Sequence, residues 1–226
     1  MLWLQWLPHR RTSELDYETE EQQVEAIKKW WSENGNSVIL GVAIGGAAIL
    51  GWQFWNKHQV SKARQASDGY SETIAAMSSE ADAVSLASKV KDEHGGTLYA
   101  AMAALAAARE HVSNGAIDKA ETELAWAVKN SPLDEVSMIA RVRLARVQAS
   151  LGEHDKAMKT LPKKPPEAFT ALVEEVRGDV YAATGEHDKA RASYTAALES
   201  TTPGGDRNAL TMKLNDLATA DAGDAS

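Results

Sequence analysis

The sequence predicts an all-α protein: one membrane-crossing helix near the N-terminus, then a solenoid of stacked helical hairpins. Three observations carry this. Residues Val38 to Trp55, VILGVAIGGAAILGWQFW, contain no charge. The hexapeptide Gly-Glu-His-Asp-Lys-Ala occurs at Gly152 to Ala157 and again at Gly185 to Ala190, with a relative at Gly115 to Ala120. The remainder is rich in alanine, a composition that points to helices.

The leader, residues 1–37, is acidic. Within it, Glu18 to Trp31 sets Val24, Ile27 and the pair Trp30 and Trp31 at helical spacing among Glu, Gln and Lys, which suits either a helix lying on a membrane surface or a solvated helix. The run Glu33-Asn34-Gly35-Asn36 predicts a break after it. Residues Met1 to Leu7 are apolar but precede Arg10 and Arg11, the reverse of a secretory signal.

The segment 38–55 is the predicted span. Its 18 residues make about 27 Å of helix, close to the hydrocarbon thickness of a bilayer. Trp30 and Trp31 on one side and Trp52 and Trp55 on the other stand where indoles favour the membrane–water boundary. No small-x-small cleavage site follows, so the reading is an uncleaved anchor. Gly41, Gly45, Ala47 and Gly51 place small residues on helix faces, which lets a second span approach closely.

Beyond the span, residues 56–96 are read as a helical stalk, Val60 to Met77, and a second helix, Ala81 to Val90, ended by Gly95-Gly96. Residues 97–226 form the repeat domain. The hexapeptides recur 33 residues apart and the relative lies 37 residues earlier, periods of a helix-turn-helix repeat. Each unit has a glycine suited to a left-handed turn between its two helices and a small alanine where they cross.

These positions resemble the tetratricopeptide repeat. The third unit carries Gly178, Tyr181, Gly185, Ala190, Tyr194 and Ala197 at the repeat's spacing, with Pro203 one residue past its terminal proline. The first carries Ala108, Gly115, Ala120, Leu124, Ala127 and Pro132. The middle unit keeps Leu144, Ala145, Gly152, Ala157 and Leu161 but meets Pro162, Pro165 and Pro166, so its second helix is expected to be short. The repeat's hallmark tryptophan is missing from all three.

Stacked hairpins leave a groove lined by their first helices. The resemblance puts Met102, Leu105, Arg109 and Val112 of the first unit there, Ile139, Val142 and Arg146 of the second, and Leu172, Glu175 and Asp179 of the third. This mixture suits extended polypeptide. Leu105, Val142 and Glu175 occupy places where carboxylate-clamping repeats carry Lys and Asn, so a free C-terminus is not the expected ligand.

Composition removes several classes of function. Net charge is −3 before residue 56 (4 basic, 7 acidic) and −5 after it (20 basic, 25 acidic), which leaves no excess cation to neutralise phosphates, so nucleic acid is not an expected partner. There is no cysteine, hence no disulfide or thiolate chemistry. No zincin, phosphate-loop or nucleophile-elbow motif is present. His154 and His187, beside Asp155 and Asp188, read as solvated turn residues rather than metal ligands, because further ligands would sit a repeat away. No catalytic residue, metal or cofactor is expected.

A wider resemblance covers all but about the first 17 residues. The segments Gln23 to Lys28, Glu33 to Gly35, Gly51 to Asn56, His58 to Val60, Arg143 to Gln148 and Met212 to Asn215 are similar to the YfgM family of ancillary Sec translocon subunits. The resemblance implies a bacterial inner-membrane protein with a cytoplasmic N-terminus and periplasmic repeats. Implied partners are the SecYEG channel and a membrane-anchored periplasmic chaperone of the PpiD type, with emerging secretory polypeptides as a third. Lys28 and Lys29 before the span against Lys57, Lys62 and Arg64 after it do not favour that orientation, which rests on the resemblance. The competing expectation is a membrane-tethered repeat adaptor of another envelope or stress-signalling assembly.

Overall fold

A computed structural model describes residues 14–78, 82–201 and 207–224, and all regular structure among them is helical. The apolar start at Met1 to Leu7, together with Ala81 and Pro203, lies outside the described residues. The chain divides into two units, residues 1–59 and 60–226.

Helix α1, Glu14–Ala76, runs from the first unit into the second. Its apolar stretch has mean hydropathy 1.7 and none of it is buried; by length and composition it can cross a membrane. Leu40, Val42, Ile44, Ile49 and Phe54 are all exposed, and nothing lies within 4 Å of where a side chain would begin at Gly41, Gly45 or Gly51. Burial of so continuous an apolar surface in hydrocarbon is favourable, whereas water contact costs about 25 cal/mol per Å2. The four tryptophans Trp30, Trp31, Trp52 and Trp55 are exposed too.

The expected break at Glu33 to Asn36 does not occur. The helix passes through it because Asn34 turns its amide onto the Trp30 carbonyl at 3.1 Å, a local bond compatible with helix, and Gly35 tucks against the Trp31 indole. A glycine without proline beside it costs only about 1 kcal/mol in a helix. Residues 14–37 and 38–55 are therefore parts of one helix.

In the second unit, Gly69 and Tyr70 near the end of α1 pack against Val90 of α2 (Ala83–His94), which starts on an Asp82 side-chain cap and stops at Gly95. Three hairpins follow. They are α3 (Leu98–Ser113) with α4 (Ile117–Asn130), α5 (Asp134–Ser150) with α6 (His154–Thr160), and α7 (Thr170–Ala183) with α8 (His187–Ser200). Helix α6 has only 7 residues, as its trailing prolines require. A last helix, α9 (Arg207–Asp224), lays Leu210 and Leu217 against Tyr194 and Ala197 of α8 and so closes the apolar end of the stack.

The repeated hexapeptide makes one turn three times. Gly115, Gly152 and Gly185 have φ of 73°, 78° and 75°, and the next residue's amide bonds back to the carbonyl of His111, Gln148 and Tyr181 at 2.8–2.9 Å. That is a Schellman ending, which needs a left-handed residue. Close packing follows from small side chains: seven alanines of α3 are buried. Between the first two hairpins the buried Gln148 donates to Glu121 at 3.0 Å and accepts from Thr160 at 2.7 Å, so both ends of its amide are satisfied.

Candidate partner-binding groove

Along α3, steps of three and four residues bring Met102, Leu105, Arg109 and Val112 onto one face. Along α5, the same steps bring Val136, Ile139, Arg143 and Arg146 together, each 34 residues after its counterpart. These two faces meet in two adjoining cavities. One, of about 470 Å3, is walled by Leu105, Arg109, Val112, Leu124, Arg143, Arg146 and Val147. The other, of about 350 Å3, is walled by Tyr70, Ile74, Met77, Met102, Leu105, Arg109, Ile139 and Arg143. Leu105, Arg109 and Arg143 belong to both and form the saddle between them.

The structure thus brings together Met102, Leu105, Arg109, Val112, Ile139 and Arg146 of the residues expected from sequence. Val142 is not among them. It is only 3% exposed and packs in the core with Val173 and Val176 of α7, out of reach of a partner. The reason is geometric. Counting back from the turn glycine selects equivalent positions in successive repeats, and on α5 one of these, Val142, faces forward to α7, whereas Ile139 and Arg146 line the cavities. The side of α5 that looks back at α3 is displaced by one residue, about 100° round the helix, and holds Arg143.

Arg143 was missed by that register. A 34-residue comparison of apolar–basic spacing, starting from Met102 rather than from the turn, would have found it.

The third unit's expected residues behave differently. Leu172 is exposed, but Glu175 and Asp179 are engaged within the chain. Arg146 donates to Glu175 at 3.0 Å. Lys213 of α9 donates to Glu175 at 2.8 Å and to Asp179 at 2.7 Å, and Tyr194 donates to Asp179 at 2.8 Å. Burial alone would lower Lys213, but its bonds to Asp179 and Glu175 outweigh this and hold it above the ordinary lysine range. Burial, then the bond to Asp179, pushes the Tyr194 hydroxyl well up.

By contrast, among the described residues neither Arg109 nor Arg143 has an acidic partner. Both side chains are exposed at the rim of the apolar saddle. Two unneutralised guanidinium groups in a chain of net charge −8 make this the cationic part of the groove.

No group of three His, Asp or Glu among the described residues is placed to hold a metal. His154 is half-buried rather than solvated, and its Nδ1 is enclosed without a hydrogen-bond partner among the described residues.

Comparison with known proteins adds the family. The family described as a tetratricopeptide repeat-like domain matches residues 28–219, taking in the apolar segment as well as the hairpins. The ancillary SecYEG translocon subunit of Escherichia coli (strain K12) is 34% identical over 203 residues, 89% of this chain and 98% of that protein. The protein of the same name from Haemophilus influenzae is 31% identical over 88% of this chain and 97% of its own length. That of Neisseria gonorrhoeae is 25% identical over similar shares, 88% and 97%. No solved structure matches the chain.

Proposed function

The chain belongs to the family of ancillary SecYEG translocon subunits, the YfgM family, and from that membership we propose that it is a non-catalytic, membrane-anchored scaffold of the Sec channel. In this reading the span of α1 holds the protein beside the channel. Its repeats project into the periplasm and retain a PpiD-type chaperone where secretory polypeptides emerge. The observation that carries the reading is coverage: the similarity spans nearly the whole length of the relatives, anchor and hairpins alike.

The physical mechanism is local concentration. Tethering a chaperone within a short linker's reach of the channel mouth raises its effective concentration to about the millimolar range without any bond being made or broken. An exposed, glycine-faced span suits helix-to-helix contact in lipid, where small residues permit close approach. An open groove suits polypeptide.

Two measurements test it. Affinity purification of the full-length chain from membranes in mild detergent is expected to recover the channel subunits together with a membrane-anchored periplasmic isomerase-type chaperone. Absence of both would sink the reading in favour of an adaptor for another assembly. A C-terminal alkaline phosphatase fusion is expected to be active; an inactive but well-expressed fusion would put the repeats in the cytoplasm and remove the chaperone with them.

A further inference from the structure

The repeat groove is not uniformly charged, and the imbalance falls on one pair of residues. Toward the C-terminal end Arg146 and Lys213 are already neutralised, Arg146 by Glu175, and Lys213 by Glu175 and Asp179. Arg109 and Arg143, on the saddle common to both cavities, are neutralised by nothing among the described residues. They stand on the two facing apolar–basic stripes, one on each side of the saddle, so the unpaired charge is doubled there. Below them lies an apolar wall of Leu105, Val112 and Val147.

We propose that this saddle takes a polypeptide segment in which glutamate or aspartate side chains flank a large apolar side chain. The carboxylates meet Arg109 and Arg143, and the apolar group enters the cavity of about 470 Å3. Guanidinium groups suit this task because their planar donor fork matches a carboxylate with two parallel hydrogen bonds. Two cations are too few for a nucleic-acid backbone on an acidic chain. A basic segment would be repelled. The inference rests on the scaffold reading and names the chemistry of the polypeptide that the scaffold's groove would hold.

The test uses the full-length chain in nanodiscs and three fluorescein-labelled peptides: Ser-Gly-Glu-Leu-Phe-Leu-Glu-Gly-Ser, the same peptide with both Glu replaced by Gln, and the same with both replaced by Lys. Fluorescence anisotropy is expected to show the Glu peptide binding about tenfold more tightly than the Gln peptide. That preference should shrink at about 0.5 M salt, where exposed charges are screened within a few ångströms. The double variants Arg109→Gln with Arg143→Gln, and Arg109→Glu with Arg143→Glu, should lose the preference while keeping helical circular dichroism; should the reversal misfold, the Gln pair alone carries the comparison. Equal binding of the Glu and Gln peptides, tighter binding of the Lys peptide, or an undiminished preference in the Gln pair would overturn the proposal. So would sedimentation showing a second copy of the chain released from the groove by the Gln pair. Channel recovery with the same preparations is read separately: a wild-type chain that retains the channel but shows no peptide preference refutes this inference and leaves the scaffold reading standing.

Discussion

Gly178 of α7 lies directly beneath the ring of Tyr194 in α8. A methyl group at Gly178 would fall 2.4 Å from Tyr194 Cε1 and 2.5 Å from Cδ1. The ring cannot swing aside freely, since its hydroxyl is bonded to Asp179 at 2.8 Å and the residue is 3% exposed. Gly178→Ala is therefore expected to destabilise the third hairpin although alanine is the better helix former. Overpacking of this kind, against a ring that cannot yield, costs about 2–3 kcal/mol and the propensity gain returns about 1, leaving a net loss of about 1–2 kcal/mol. In a thermal melt this is a fall of about 2–8 °C; an unchanged or raised midpoint would show that α7 and α8 separate readily.

Alkaline titration should expose the network around Asp179. Tyr194 and Lys213 both hold their protons more firmly in the folded chain than their ordinary values of 10.0 and 10.5. Their contribution is thus complete below about pH 10 and is lost as pH rises toward the folded values. Urea melts between pH 8 and 11 should show stability falling in the upper part of that range. Tyr194→Phe should flatten this limb; an equally steep limb in the variant would assign it to other groups.

The repeated turns make a graded prediction. Replacing Gly152 or Gly185 by Ala forces a β-carbon into φ of 78° or 75°, at a cost of about 1–2 kcal/mol each, whereas Asn tolerates that region better. Chemical denaturation of Gly152→Ala and Gly152→Asn should place the Asn variant between wild type and Ala. Equal stability of all three would mean that the turn relaxes out of the left-handed conformation.

Much of this architecture was legible because its signals are local. A glycine in the turn of each hairpin, alanines at the crossings and prolines after α6 each fix backbone geometry within a few residues, and the hairpins fall where the hexapeptides put them. The anchor was legible for the same reason. What depended on tertiary surroundings was read less well. Asn34 and Gly35 look like a break until the Trp30 carbonyl and Trp31 indole are known to receive them. Val142 looks like a groove residue until α7 closes over it, and Glu175 and Asp179 look available until Lys213 arrives from α9, 34 to 38 residues later. Arg143 escaped notice because the turn-based register lands on its neighbour Val142, which faces α7 instead of α3.

A scaffold held at the channel by its span places the apolar part of α1 against a channel subunit, a contact that cross-linking in living cells reads out. A photoreactive residue placed singly at Val42, Ala43, Ile44 and Gly45, all exposed on the isolated chain, steps about 100° at a time and so samples the circumference of the helix. Light-dependent adducts with a channel subunit are expected from one contiguous face and none from the opposite face. A full-length, membrane-inserted chain that yields no channel adduct from any of the four positions would contradict it.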